Sequence, residues 1–171
     1  GLSALGVAGP LPAAGWALAV GATLRANGLR QARLRLMVWE GHCAVVAQPV
    51  YENAGAAGPP GWNAVISERR INEHDPAAVL KTVAYQPYAA ARQEAAAAGY
   101  EEALLLNAAG QLVEGSRTNV FWVTAGALYT PALATGCLDG IVRQLILEAA
   151  AQRQLPVLPV AVPAAGLRTA T

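Results

Sequence analysis

The stretch Glu101–Pro131, EEALLLNAAGQLVEGSRTNVFWVTAGALYTP, decides the fold class because it contains two hairpin patterns in succession. The first consists of the apolar run EALLLN, the turn AAG and the short strand QLVEG; the second consists of NVFWVT, AG and ALYTP. Glycine and asparagine between apolar runs are residues that tight hairpin turns favour. We therefore predict two consecutive antiparallel hairpins.

Helical patterns lie on both sides of these hairpins. Upstream, Pro87 can occupy the first turn of a helix through YAAARQEAAAAG, which Gly99 ends. Downstream, DGIVRQLILEAAAQRQ has helical periodicity with Asp139 as its candidate N-cap, and LPVLPVAV follows as a strand. Helices that alternate with hairpins predict an α+β fold.

The first part of the chain predicts one helix followed by strands. LPAAGWALAVGATLRANGL has apolar residues at helical spacing and stops at Asn27 and Gly28. In ARLRLMVWEG, the side chains of Leu34, Leu36 and Val38 alternate along a strand that we expect to be half-buried. CAVVAQPVY is the predicted partner of this strand, and NAVISERRI predicts a third strand.

The polar segment NEHDPAAVL, which contains a proline, marks the predicted domain boundary near residue 75. Upstream of it, ENAGAAGPPGW is predicted to be a loop from its composition. We predict a partial small N-terminal α/β domain over residues 1–75. A larger C-terminal domain of hairpins and helices, incomplete at its end, is predicted over residues 76–171.

Composition excludes several classes of protein. The chain has 171 residues, of which 54% are hydrophobic and 13% charged, so it can bury a core. The net charge is +1 with no basic run, which argues against a nucleic-acid partner. The first 24 residues carry no charge, but glycines and prolines interrupt them, so we expect neither a membrane span nor a secretory leader.

The two cysteines, Cys43 and Cys137, lie far apart without metal-ligand spacing. We therefore expect two free thiols in a cytoplasmic protein, and no metal site.

Lys81 is the one lysine among twelve basic residues, the others being arginines. An arginine would serve equally well as a surface charge, but only a lysine amine can lose its proton and attack a carbonyl. The count alone leaves open that Lys81 is an ordinary solvated lysine.

Two further features accompany this amine. Glu114 ends a hairpin strand in a turn-like segment, where a surface glutamate is the ordinary alternative. Gly140 opens the last helix, whose first N–H groups can bind phosphate, as those of any helix can. An amine, a carboxylate and a phosphate-binding helix start are what pyridoxal phosphate requires.

The run from Lys81 to Gln144 resembles the class IV aminotransferases, the fold-type IV pyridoxal phosphate enzymes. The resemblance covers some sixty residues in the right order, and it extends more weakly through NGLRQARLRLMVWEG and LPVLPVAVPAAGL. The matching positions include Lys81, Tyr85, Glu94, Ala95, Gly99, Glu102, Gly110, Glu114, Asn119, Phe121, Tyr129, Pro131, Gly136, Leu138, Gly140, Ile141, Arg143 and Gln144.

The resemblance implies a reaction centre at two residues. Lys81 would hold the cofactor as a Schiff base and then carry the proton at the substrate Cα. Glu114 would pair with the pyridine nitrogen, and Thr118 and Asn119 would orient the segment that carries it.

The resemblance also implies residues that hold the rest of the cofactor. Tyr85 would lie near the ring oxygen, and Leu138 would pack on the ring face. At the helix that begins with Gly140, the amides of Ile141 and Val142 would hold the phosphate.

Within the family, the expected function is that of a 4-amino-4-deoxychorismate lyase, which releases pyruvate to give 4-aminobenzoate for folate synthesis. Val142 favours this branch, because many aminotransferases of the family have threonine there. Arg35 would meet a substrate carboxylate in either branch. The alternative is an aminotransferase for branched-chain or related amino acids, acting on the same kind of amino-acid-like substrate.

Both termini of the full-length family are expected to be absent from this chain, including an N-terminal arginine that grips the phosphate. A truncated, catalytically silent homologue is therefore a further alternative. The resemblance also implies a cytoplasmic homodimer.

Overall fold

The computed structural model of the protein describes residues 5–50, 61–82 and 85–169. The chain divides into two units, Gly1–Gly58 and Pro59–Thr171, and each is described by itself. Most of the loop predicted from ENAGAAGPPGW lies outside the described residues. None of the described helices is long and apolar enough to cross a bilayer.

The first unit contains one helix and one hairpin. Helix α1 (Ala13–Ala26) is followed by the antiparallel strands β1 (Ala32–Trp39) and β2 (His42–Pro49). Gly28 ends the helix region at a φ of 64°, a left-handed conformation that glycine adopts without strain. The predicted helix and hairpin are confirmed.

The prediction that β1 is half-buried on its leucine face is wrong. Leu34 is 40% exposed and Leu36 is 50% exposed. Within this unit, α1 packs against β2, and a two-stranded sheet with one helix has too little facing surface to cover both leucines.

The second unit contains two three-stranded sheets. Its elements are β3 (Ala64–Ile71), α2 (Gln86–Ala97), β4 (Glu102–Asn107), β5 (Leu112–Gly115), β6 (Trp122–Thr124), β7 (Ala127–Pro131), α3 (Ile141–Gln152) and β8 (Val157–Val160).

Each of these sheets is a hairpin with one parallel strand added across a helix. In the first sheet, β4 and β5 are antiparallel, while β3 and β4 are parallel and α2 lies between them in the chain. In the second sheet, β6 and β7 are antiparallel, while β7 and β8 are parallel with α3 between them. Both predicted hairpins and the mixed α and β fold class are confirmed.

The parallel pairing of β3 with β4 explains at which residue the chain divides into the two units. Because β3 belongs to the sheet of the second unit, the division between the two units falls after Gly58. The division into domains 1–75 and 76–171 stays a prediction.

The two helices of the second unit begin in different ways. Pro87 lies in the first turn of α2, as predicted, and Gly99 follows the helix end at a φ of 84°. The predicted N-cap of α3 is wrong, because Gly140 occupies that position. The carboxylate of Asp139 instead accepts hydrogen bonds from Arg143 Nη1 at 3.2 Å and from Gln144 Nε2 at 3.0 Å.

The core of the second unit lies between α2 and the β3-β4-β5 sheet. Ala91 and Ala95 are one turn apart on α2 and fully buried, so their small side chains let the helix approach the sheet closely. Leu105 of β4 and Val113 of β5 have no exposed surface. This packing fixes the start of α2 over the end of β5, where the candidate site lies.

Candidate active site

A cavity of about 240 Å³ lies in the second unit, at the entry to α2 and the end of β5. Four of the predicted site residues line it, namely Lys81, Tyr85, Glu114 and Leu138. A smaller cavity of about 30 Å³ shares these four residues and adds the predicted residues Thr118 and Asn119. Residues from three separate stretches of the chain therefore meet at one site.

Glu114 is the central side chain of this site. It lies in β5 opposite Leu105, and only 6% of its surface is exposed. Its carboxylate accepts hydrogen bonds from Tyr88 Oη at 2.9 Å, Asn119 Nδ2 at 3.2 Å and the Leu138 backbone N–H at 3.2 Å. Three segments that are distant in sequence thus hold one carboxylate.

The environment of Glu114 raises the pKa of its carboxyl group. Burial is the largest cause, because it disfavours the charged form. The hydrogen bonds from Tyr88 and from the Leu138 N–H, and the charge of Lys81, act in the opposite direction and are outweighed. A cationic or N–H group that entered the cavity would therefore stabilise the charged form of this carboxylate.

Lys81 supplies an amine to the same cavity. Its Nζ donates a hydrogen bond to Tyr85 Oη at 3.0 Å and lies 5.2 Å from the centroid of that ring. The Lys81 side chain is otherwise exposed, so a ligand in the cavity can reach the amine. In one cavity, the amine can condense with a carbonyl group of a ligand, and the buried carboxylate can pair with a protonated nitrogen of the same ligand.

Asn119 ties the site to the start of α3. Its Nδ2 donates to the Leu138 backbone oxygen at 2.8 Å as well as to Glu114. Next to it, a Cβ atom on Gly140 would collide with Asn119 Oδ1. The glycine is thus required by the close approach of Asn119, since its φ of −70° is open to any residue.

Sequence reasoning missed the structural role of Glu102, a buried carboxylate in β4. It accepts hydrogen bonds from the N–H groups of Ala103 and Ser116, from the Ser116 hydroxyl and from Thr118 Oγ1. These contacts hold the turn after β5, and Thr118 takes part in them through Glu102. Its role in orienting the Glu114 segment stays a prediction. The signal available in the sequence was that Glu102, like Glu114, occupies a position of the family pattern.

Tyr88 is the second residue without a predicted role. It donates to Glu114, and its ring lies against that of Tyr85 with centroids 5.3 Å apart. Its position three residues after Tyr85 in the sequence gave no indication of this contact.

Other predicted residues lie outside the cavity lining. Ile141 and Val142 open α3 and are 78% and 67% exposed, with no side chain capping their helix. Arg35 is exposed on β1, opposite Val46, in the other unit. Their predicted roles toward phosphate and substrate stay predictions.

Comparison with known proteins identifies the family. The family model for amino-transferase class IV matches residues 1–171. A protein of Rickettsia conorii named "Probable branched-chain-amino-acid aminotransferase" is 32% identical over 146 residues, which is 78% of this chain and 50% of that protein. A branched-chain-amino-acid aminotransferase of Pseudomonas aeruginosa is 45% identical over 62 residues, 36% of this chain and 20% of that protein.

Solved structures agree with this assignment. The branched-chain aminotransferase of Thermoproteus uzoniensis matches 99% of this chain and 61% of its own with a TM-score of 0.83 and 29% identity. A protein of Legionella pneumophila described as "Putative 4-amino-4-deoxychorismate lyase" matches 99% of this chain and 66% of its own with a TM-score of 0.82. Its identity is 19%, which supports the shared fold alone.

The chain belongs to the class IV aminotransferase family. Enzymes of this class depend on pyridoxal phosphate, and its members include aminotransferases and lyases. The chain spans about half the length of the curated relatives that it matches over most of its residues, 50% of the Rickettsia protein.

We predict that Gly140→Ala destabilises the site. The added Cβ must displace Asn119, and overpacking of this kind costs about 1–3 kcal/mol of unfolding free energy. Denaturant unfolding of the cofactor-free protein measures this. The matched control is Gly61→Ala, whose Cβ would enter open space, and equal stability of the two variants would contradict the close approach.

We also predict that the stability of the cofactor-free protein falls as pH rises through the Glu114 titration. The raised pKa means that the folded state holds the proton more tightly than the unfolded chain, so the loss begins above the usual value of 4.5. Glu114→Gln removes this titration and should flatten the pH dependence of the unfolding free energy. Urea unfolding across the acidic range tests it.

The matched control for this titration is Glu148→Gln, on the exposed side of α3. It should keep the pH dependence of the unmodified protein. If Glu114→Gln also keeps it, the Glu114 carboxylate is not desolvated.

Proposed function

We propose that this chain forms the pyridoxal phosphate site of an aminotransferase that acts on branched-chain or related amino acids. The observation that carries the proposal is that Lys81 and Glu114, an amine and a buried carboxylate, line the same cavity. Family membership and the branched-chain aminotransferases among the relatives support it.

The residues present fit this cofactor. Pyridoxal phosphate has an aldehyde for an amine, a basic ring nitrogen for a carboxylate and a phosphate for backbone N–H groups. Lys81 supplies the amine, and Glu114 is a desolvated carboxylate whose raised pKa a protonated ring nitrogen would lower again. When bound, the cofactor supplies an electron sink for the electron pair left at the substrate Cα.

In this proposal Lys81 has two tasks. Its Nζ would anchor the cofactor, and with substrate bound the free amine would accept the proton from the substrate Cα and hold it for return to carbon. The Tyr85 hydroxyl, 3.0 Å away, holds the amine on its side of the cavity. Holding the base in place removes the entropy cost of finding the proton.

Glu114 is proposed to keep the ring nitrogen protonated. Asn119 and the Leu138 N–H both donate to one of its oxygens, Oε2, which limits the rotation of the carboxylate. Leu138 itself lines the cavity and can pack against a ring.

The phosphate is proposed to bind at the start of α3. The N–H groups of Ile141 and Val142 follow the N-cap Gly140 and have no acceptor within their own helix. An anion at that end is also favoured by the helix dipole. Because Val142 has no hydroxyl, the backbone supplies these donors alone.

Substrate choice and assembly belong to the same proposal. Arg35 is proposed to meet the substrate carboxylate, and the protein to act as a cytoplasmic homodimer. The second candidate is the 4-amino-4-deoxychorismate lyase reaction, which one observation favours: the apolar residue Val142 at the start of α3.

We predict that pyridoxal phosphate becomes attached to Lys81. The purified protein should gain a visible absorbance band when the cofactor is added, and borohydride reduction followed by peptide mapping should find a pyridoxyl group on Lys81. Lys81→Arg keeps the charge but cannot react, so it is the matched control. Absence of label in the unmodified protein would favour the catalytically silent homologue.

The reaction itself is decided by two assays on protein that has been loaded with pyridoxal phosphate and not treated with borohydride. Leucine with 2-oxoglutarate should give a branched-chain keto acid, whereas aminodeoxychorismate should give no 4-aminobenzoate. Lys81→Ala should lower the rate of transamination by about 10²–10⁴-fold, which is the contribution of a positioned base. Release of 4-aminobenzoate without transamination would instead establish the lyase.

A further inference from the structure

Tyr88 occupies the first turns of α2, with its hydroxyl directed at the site and its ring on the core. The hydroxyl donates to Glu114 Oε1 at 2.9 Å. The half-buried ring packs against the core of the second unit and against Tyr85. Neither the sequence pattern nor the proposed function gives this residue a task.

The hydrogen bonds of Glu114 are distributed unevenly over its two oxygens. Oε2 accepts from both Asn119 Nδ2 and the Leu138 N–H, while Oε1 accepts from Tyr88. A carboxylate oxygen has two lone pairs, so Oε2 is fully used. Among the described residues, one acceptor position remains, and it is on the oxygen that Tyr88 holds.

We propose that Tyr88 is a positioning residue that keeps Glu114 ionised and turned so that Oε1 offers its free acceptor position to a protonated ring nitrogen. The proposal rests on the proposed function, because the ring nitrogen belongs to the cofactor. Its effect on the carboxylate, however, is a property of the cofactor-free protein.

The electrostatics of the pair agree with this role. Burial and the nearby Glu114 charge raise the pKa of the Tyr88 hydroxyl far above its usual value of 10.0, so it stays a donor at every pH at which the protein works. Its hydrogen bond in turn lowers the pKa of Glu114 and opposes the effect of burial. Loss of this donor leaves the carboxylate with less support for its charge.

Other charged and titratable groups surround Glu114 and contribute to the same balance. Lys81 lowers its pKa through charge, and the Cys137 thiol lies close enough to interact with it. The remaining ionisable residues that line the two cavities are Arg70, Asp75, Tyr85 and Arg117. A test of Tyr88 must therefore change its hydroxyl and leave the other groups in place.

Tyr88→Phe meets this requirement because it removes the hydroxyl and keeps the ring that packs on the core. The measurement is the pH titration of the Glu114 carboxyl ¹³C resonance in cofactor-free protein with labelled glutamate, assigned through Glu114→Gln. The pKa of Glu114 should rise in Tyr88→Phe and stay unchanged in the control Tyr100→Phe, whose ring lies outside the cavity lining. An unchanged or lowered pKa in Tyr88→Phe would overturn the proposal.

A second measurement strengthens the Tyr88 donor and does not remove it. Incorporation of 3-fluorotyrosine makes the phenol a stronger donor, so the pKa of Glu114 should fall in otherwise unmodified protein. The same incorporation into Tyr88→Phe should have no effect on it. An equal response in both proteins would count against Tyr88.

The consequence for the cofactor is a weaker and differently pH-dependent complex. Pyridoxal phosphate affinity should fall about tenfold at neutral pH in Tyr88→Phe, the value of one hydrogen bond to a charged group. The acid limb of the affinity profile should move to higher pH, which a loss of packing would not cause. If the unmodified protein binds no cofactor, the proposed function fails, and the carboxyl titration alone decides the role of Tyr88.

Discussion

The site depends on the cost of burying the Glu114 carboxylate. A charged carboxylate taken out of water needs donors, and this one receives them from α2, from the segment after β5 and from the segment before α3. Those three segments are not neighbours in sequence, so the carboxylate also serves as the point that joins them. The donors that it has do not offset the effect of burial, so one more positive or N–H group would stabilise its charged form. A protonated pyridine nitrogen is such a group.

The fold places these segments together through a repeated arrangement. Each sheet of the second unit is a hairpin with a parallel strand added across a helix, and the helices α2 and α3 therefore both begin beside the end of a hairpin. Lys81 precedes α2, and Leu138 precedes α3. A second buried carboxylate, Glu102, fixes the turn that follows Glu114. The geometry of the site thus follows from how the two hairpins are extended.

Local signals predicted the local structure. Glycine-containing turns defined both hairpins, and Pro87 marked the start of α2. The parallel strand pairs and the contact of Tyr88 with Glu114 were not predictable, because they join residues far apart in sequence and no local pattern encodes them. The prediction of Asp139 as N-cap failed for a different reason, because its carboxylate accepts hydrogen bonds from the side chains of Arg143 and Gln144 in α3.

We propose above all that Glu114 holds a proton on the ring nitrogen of a cofactor attached to Lys81. The ¹⁵N chemical shift of ring-labelled pyridoxal phosphate, bound to the protein at neutral pH, reports the protonation of that nitrogen directly. We expect a protonated nitrogen in the unmodified protein and an unprotonated one in Glu114→Gln. An unprotonated nitrogen in the unmodified protein, or the same shift in both proteins, would contradict it.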